Sequence, residues 1–409
     1  MMIAFLSVSA EMGGSEVSLL ELVRGLRRLE PSWPLHLVVP REGPLARAAA
    51  AAGAAIHVLP LPARLMRIGE ARGGPAVMIE RGASLLLAAG SLAPYSRRLG
   101  RLLATISPDI VHTNGFKLHV LGARVAPASS ALVWHIHEYI ARRPISRRLL
   151  RTQAGRCAAI VANSRSVAVE VNEILDPPVP VSTIYNAVDA AEFSPDGPAA
   201  DLDRLAGLPP AAAPGTVRVG LVATYGRWKG HDTFVNALTR LDARLPWRAY
   251  IVGGSLYDTA HSEYTRDELE RSVAAAGLTG RVGLTGFVER PAEAIRALDV
   301  VVHASTRPEP FGLVIVEALA AERAVIVSAA GGAAELVKDD VDALTHAPGD
   351  AAGLARAMTR LISDAGLRAR LGAAGRSSAR RRFDPDVYAR AFANVYEEAR
   401  ARAVSHARH

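Results

Sequence analysis

Short apolar runs that stop at a Gly-containing or polar turn and then open into an amphipathic stretch recur along the whole chain. This beat limits the fold more than any other feature of the sequence. Ile3–Ser9 leads into Glu11-Met12-Gly13-Gly14-Ser15-Glu16 and a helical pattern to Leu29. Val217–Ala223 leads into Thr224-Tyr225-Gly226-Arg227-Trp228-Lys229-Gly230-His231 and a helical pattern to Leu241. Leu298–His303 leads, through Arg307-Pro308-Glu309-Pro310-Phe311-Gly312, into an apolar stretch of helix length ending at Ala321. Continuous apolar runs suit strands buried on both faces, and such strands alternating with helices build a parallel sheet. Leu35–Val39, Ala55–Leu59, Ile110–Thr113, Leu132–His137, Ile160–Asn163 and Val181–Tyr185 add strands to the first half, and Ala249–Gly254, Val282–Gly286 and Ala324–Ser328 to the second. The intervening Pro195–Pro214 is rich in Pro, Ala and Gly and has no period, which puts a boundary near residue 190. A chain of 409 residues exceeds one ordinary core. The expected division is therefore an α/β domain over 1–190, a second over 191–383, and a closing helix within 384–409.

Composition excludes some classes of protein. The longest candidates for a membrane span, Ala48–Ile56 and Ala83–Ala93, are too short and contain Gly. Met1-Met2-Ile3-Ala4-Phe5-Leu6 lacks a basic leader and reads as a first strand. A single cysteine, Cys157, cannot form an intrachain disulfide and fits a reducing compartment, so a cytoplasmic location is expected. The charge is lopsided. Residues 1–190 hold 21 Lys+Arg against 13 Asp+Glu, whereas the remainder holds 27 of each. Between Glu138 and Glu170 lie Arg142, Arg143, Arg147, Arg148, Arg151, Arg156 and Arg165 with no acidic residue. Arg64, Arg67, Arg72, Arg81, Arg97, Arg98 and Arg101 alternate with apolar residues such as Leu65, Met66 and Leu85–Leu87. Such a face attracts an anionic membrane surface or nucleic acid, or simply solvates helices. With Leu149 and Leu150 beside it, the reading adopted is peripheral contact with the inner face of a membrane, and no nucleic-acid partner is expected.

Three turns carry chemistry. Pro308 and Pro310 delay the helix start and stiffen the loop that holds Glu309, while Glu317 falls one to two turns inside the following helix. Two carboxylates so spaced point to one crevice beside a helix N-terminus suited to phosphate. Arg227 and Lys229, two apart on a Gly-containing turn before a helix, form a second anion site. A third candidate is His137 at the exit of a strand, with His135 the alternative if the register shifts. The turn at Gly13-Gly14 is not a G-x-G-x-x-G fingerprint and no ribose-binding acid follows at the right distance, which argues against a bound NAD. No Asp-x-Asp sits at a strand end, so no metal is expected.

Taken together, these segments resemble the retaining GT-B glycosyltransferases of the large family 4, or group 1, class. Glu309 and Glu317 match its E-x7-E signature, Gly13-Gly14-Ser15-Glu16 its GG-x-E turn, and Trp134-His135-Ile136-His137-Glu138 its His-bearing strand end. Asn186-Ala187-Val188-Asp189 matches its interdomain Asn-Gly-Val-Asp with Ala for Gly. Lys229-Gly230 fits its G-R-x(4)-K-G loop, but Thr224 stands where the family has Arg, and Arg227 lies three residues later. The resemblance implies two Rossmann-like domains facing an interdomain cleft and transfer of a sugar from a nucleoside-diphosphate sugar, such as a UDP- or GDP-sugar, to a glycan or lipid-linked acceptor hydroxyl. It needs no separate cofactor. The first domain would bind the acceptor and the second the nucleotide sugar. It implies that Glu309, His137, Lys229 and Arg227 serve the chemistry. Gly13, Gly14, Gly253, Phe287, Val288, Phe311, Gly312, Leu313, Val314 and Glu317, again with Lys229 and Arg227, would bind the donor. A sugar-nucleotide epimerase or phosphorylase on the same scaffold, or a non-catalytic nucleotide-sugar-binding protein, are the alternatives.

Overall fold

The computed structural model describes residues 1–62, 92–141, 143–211, 215–255 and 262–406. The basic and apolar cluster from Arg64 to Leu87, and Arg142, lie outside these residues. The chain forms two compact units, one of Met1–Ala187 with Pro385–His409 and one of Val188–Asp384.

In the first unit β1 (Ile3–Ser7), β2 (Leu35–Val39), β3 (Ala55–Val58), β4 (Ile110–Asn114), β5 (Ala131–Ile136), β6 (Ala159–Ala162) and β7 (Val181–Thr183) form a parallel sheet in the order β3-β2-β1-β4-β5-β6-β7. Both faces of the central strands are covered, which is why they read as largely apolar runs, whereas the edge strands β3 and β7 are only partly buried. Ile3 and Phe5 of β1 join one core with Leu19, Leu22, Leu26 and Phe392, and Ala4 and Leu6 join the other with Leu99, Leu103 and Leu121. The helix Gly14–Leu29 packs on the closing helix Pro385–His406 so closely that a Cβ at Gly25 would lie 2.7 Å from Cβ of Ala389. Buried polar pairs fix this packing: Ser18 Oγ and Tyr388 Oη are 2.7 Å apart, and Tyr396 Oη lies 2.8 Å from Nδ1 of His112.

The second unit has β8 (Val217–Val222), β9 (Trp247–Val252), β10 (Val282–Gly286), β11 (Val300–His303), β12 (Ala324–Ser328) and β13 (Leu344–His346), all parallel, in the order β10-β9-β8-β11-β12-β13. The segment ahead of β8 is clamped to the sheet by Asp203. Its carboxylate accepts from Arg248 Nη1 at 2.7 Å, Tyr250 Oη at 2.7 Å and Arg218 Nη2 at 3.3 Å. In each sheet the order reverses beside the first strand of the unit, at β1/β4 and at β8/β11. In an open parallel sheet, ligands bind beyond the carboxyl ends of the strands at such a reversal.

No helix among the described residues is long and apolar enough to cross a membrane. The helix Pro144–Gln153 carries Arg147, Arg148 and Arg151 exposed, with Ile145 and Leu149 exposed one turn apart. Leu150, expected beside Leu149 at an interface, is instead fully buried in the core with Ala154, because that side of the amphipathic helix packs on the neighbouring helices Phe116–Val125 and Arg165–Leu175.

Candidate functional site

The carboxyl ends of β8, β11 and β12 gather the second unit's chemistry around Glu309. After β8 the chain makes a 3₁₀ turn, Arg227–Lys229, and Gly230 follows with φ +81°. Glycine is required there on two counts. L side chains rarely adopt that conformation, and a Cβ would fall 1.9 Å from the carbonyl oxygen of Ala304. The turn is thus pressed onto the end of β11, and Thr306 N donates to Trp228 O at 2.8 Å. From the other side the Gly331-Gly332 turn holds the Glu309 backbone, with Gly332 N donating to Glu309 O at 2.8 Å.

The result is an almost fully buried carboxylate with three polar side chains around it. Lys229 Nζ lies 2.8 Å from Glu309 Oε1. Ser305 Oγ donates to Oε2 at 2.7 Å, and His303 Nε2 lies 3.2 Å from the same oxygen. Burial alone would raise the carboxyl's pKa, but the Lys229 ammonium and the His303 contact outweigh it and hold Glu309 well below the usual range. His303 and Ser305 were not expected from the sequence. Their signal was strand parity, since residues two apart at the end of β11 face one side.

Glu317 lies one turn inside the helix Leu313–Ala320, which starts from Gly312 at φ +101°. The first N–H groups of that helix, at Leu313 and Val314, have no intrahelical acceptor by construction. Burial pushes the Glu317 carboxyl up to about 7, and the Glu192 carboxylate adds to the effect. Phe311 is buried and meets Phe383 edge to face, so its ring anchors the loop and only its backbone is left for a ligand. Gly253, at the end of β9, cannot carry a side chain because a Cβ would meet the carbonyl oxygen of Ala223 at 2.0 Å. Phe287, beyond β10, is 70% exposed, which is unusual for a side chain of that size, and Val288 beside it is partly buried.

Arg227 does not share Lys229's direction. Its Nη2 pairs with Glu268 Oε1 at 2.9 Å and its guanidinium stacks 4.2 Å from the Tyr264 ring centroid, with Tyr264 itself bonded to Asp232.

In the first unit the corresponding edge holds Gly13 and Gly14 at the start of their helix, with Gly13 O accepting from Val17 N at 2.9 Å. Asn114 Nδ2 ties the end of β4 to this turn through Ser15 O at 3.1 Å. Glu16 is buried, which raises its pKa; Ser15 donates to it at 2.9 Å and the Glu138 carboxylate pushes it further up. His135 lies inside the core against Phe392, whereas His137 sits at the exit of β5, partly exposed, its ring 3.8 Å from that of His135. Burial keeps both neutral, with His137 lowered to about 3.

Comparison with known proteins decides the family. Residues 12–192 match Glycosyltransferase Family 4 and residues 212–378 match Glycosyl transferases group 1. The chain belongs to the group 1 glycosyltransferases. Among relatives of this glycosyltransferase is a lipopolysaccharide core biosynthesis mannosyltransferase of Rhizobium leguminosarum bv. viciae, 33% identical over 53% of this chain and 60% of that protein's length. Another, from Rhizobium meliloti, is 27% identical over 75% of this chain and 91% of its own. The crystal structure of Anabaena HepE in complex with UDP matches 97% of this chain and 100% of its own with a TM-score of 0.78 at 24% identity. WaaG, a glycosyltransferase involved in lipopolysaccharide biosynthesis, matches 96% of this chain with a TM-score of 0.68 at 14% identity. These likenesses identify the fold as GT-B, built from two Rossmann-like parallel sheets.

Proposed function

We propose that this glycosyltransferase moves a hexosyl group from a UDP- or GDP-sugar to a hydroxyl of a glycan or lipid-linked acceptor, with retention of configuration. The observation that carries the reading is the Lys229–Glu309 pair, 2.8 Å long, with the carboxylate buried and the lysine partly exposed, on a carboxyl edge where a β-strand turns into a helix N-terminus. A departing diphosphate needs positive charge that is already in place, and Lys229 with the Leu313–Val314 N–H groups supplies it. Glu309 orients the sugar through its hydroxyls. Glu317 receives the ribose hydroxyls, Gly253 lets the backbone come close, and the exposed Phe287 with Val288 flanks the base. His137 and the Gly13-Gly14 turn belong to the same reaction from the first unit. Arg227 completes the cationic loop only if it leaves Glu268. In this assignment residues 188–384 bind the nucleotide sugar and the first unit binds the acceptor.

The names of the relatives favour glycolipid or polysaccharide assembly, and the exposed Ile145, Leu149 and arginines of the helix Pro144–Gln153 fit peripheral contact with the inner face of an anionic membrane. A panel of UDP- and GDP-sugars tests the central claim by thermal stabilisation followed by product analysis. A donor at 100 times its dissociation constant adds about 2.7 kcal/mol. A panel that neither stabilises the protein nor yields a glycosylated product refutes the reading. An epimerised or phosphorolysed donor points to the rival chemistries.

A further inference from the structure

We propose that His303 is a positioning residue for the transfer reaction: its Nε2–H fixes the Glu309 carboxylate in the orientation that meets the donor sugar. The inference rests on the role given to Glu309 above. His303 is the last residue of β11 and is buried, with its side chain only 4% exposed. Nδ1 of its ring is buried and has no hydrogen-bond partner, while Nε2 lies 3.2 Å from Glu309 Oε2. A proton on Nδ1 would be stranded, so the tautomer that satisfies the site carries its proton on Nε2 and donates it to the carboxylate. The backbone that carries the ring is held in place: His346 Nε2 lies 3.4 Å from the His303 carbonyl and Ser328 Oγ donates to Ser305 O at 2.6 Å.

The division of the two carboxylate oxygens is what matters. Oε1 serves Lys229, and Oε2 is claimed by His303 and Ser305. Without those two donors, the carboxylate loses the contacts that hold Oε2 away from the ammonium and is freer to turn both oxygens toward it. Lys229 has three N–H donors. A carboxylate taking two of them would compete with the diphosphate that the lysine is assigned to neutralise, and would turn away from the sugar. His303 thus acts through Glu309 without itself touching the donor.

The test uses the full chain and whichever UDP- or GDP-hexose of the panel supports nucleotide release. His303→Gln places an amide N–H about where Nε2 stood, whereas His303→Asn places its amide at the Nδ1 side. Displacement of a reacting group by about 1 Å costs on the order of 100-fold in rate, so His303→Asn and His303→Ala should lose about that much in kcat while free UDP or GDP binds as in the wild type. His303→Gln should recover most of it. In a Glu309→Ala background, His303→Ala should cost nothing further, since the residue it positions is gone. Equal activity of the Gln and Asn variants, or additive losses in the double variant, overturns the proposal. Should the alanine variant not fold, the Gln and Asn pair carries the same decision. Full activity of Glu309→Ala would overturn both this proposal and the role of Glu309. A dead Glu309→Ala beside fully active His303 variants would overturn this proposal alone.

Discussion

Replacing Glu317 with Gln should stabilise the second unit at alkaline pH and weaken its nucleotide binding. Glu317 is partly buried, its carboxyl receives no hydrogen bond from the described residues, and its pKa is pushed from 4.5 up to about 7, by burial first and by Glu192 second. For an acid whose folded value is raised, the unfolded chain ionises first. Stability therefore falls as pH rises from about 4.5 to about 7, and above that the full cost is present. The gap between those two values corresponds to about 3 kcal/mol, an upper bound because partial exposure lets water relieve some of the charge. Glu317→Gln removes the titration. Urea unfolding followed on the second unit's own transition should find variant and wild type nearly equal at pH 4.5, with the variant ahead by up to about 3 kcal/mol at pH 8. The ligand tells the other half. Ribose hydroxyls that donate to the carboxylate favour its charged form, so UDP or GDP binding near pH 6.5 should release a proton. Calorimetry in two buffers of different ionisation enthalpy measures that release. The variant should lose it together with about 1–3 kcal/mol of nucleotide affinity. A stability difference that is the same at both pH values, or nucleotide binding that moves no proton, would refute the reasoning.

Lys229→Ala should lower kcat far more than it alters donor affinity, since its charge matters most as the diphosphate leaves. In contrast, Arg227→Ala should leave turnover near the wild-type value if the guanidinium stays on Glu268 and Tyr264, and lower it if substrate draws Arg227 into the site; steady-state kinetics on both variants separate these. Activity should survive EDTA, because lysine and helix N–H groups carry the diphosphate charge, and complete loss restored by magnesium or manganese would contradict this. Liposome cosedimentation should show salt-sensitive pelleting with anionic lipid, at about 1 kcal/mol per basic residue near the surface, reduced by Ile145→Ser/Leu149→Ser. Equal, negligible pelleting with anionic and neutral lipid at low salt leaves a soluble acceptor as the reading.

The central strands were legible because burial on both faces writes them as largely apolar runs, and the turns because Gly230 and Gly312 stand where the backbone takes positive φ. Lys229 and Glu309 could be named from the turns alone, although nothing in their spacing of 80 residues says that they touch. Arg227 has a neighbour that its spacing from Lys229 does not reveal. Residues two apart on an extended strand share a side, but Arg227–Lys229 is a 3₁₀ turn, where each step rotates the side chain by about 120°. The two cations therefore diverge, and Glu268 on a later helix captures Arg227. Leu150 misled, because a pair of adjacent leucines on a helix cannot share one face. His303 was hidden at the end of an apolar run, where a single polar residue reads as the strand's exit.

The partial burial of the Lys229–Glu309 pair bears on why it is there. Two charges removed from water recover their desolvation cost only with good geometry and further hydrogen bonds, and such a pair is weak evidence for stability. Here the further bonds come from Ser305 and His303, whose side chains fall on one oxygen while the lysine takes the other. Apolar residues of similar volume could fill the same space at little or no loss of stability. What they could not do is hold a cation and an oriented carboxylate side by side at the carboxyl edge of the sheet, next to a helix N-terminus. The sequence spends Gly230, the two prolines around Glu309 and the Gly331-Gly332 turn on holding that arrangement. The arrangement suits a reaction in which a diphosphate departs as a sugar is held in place.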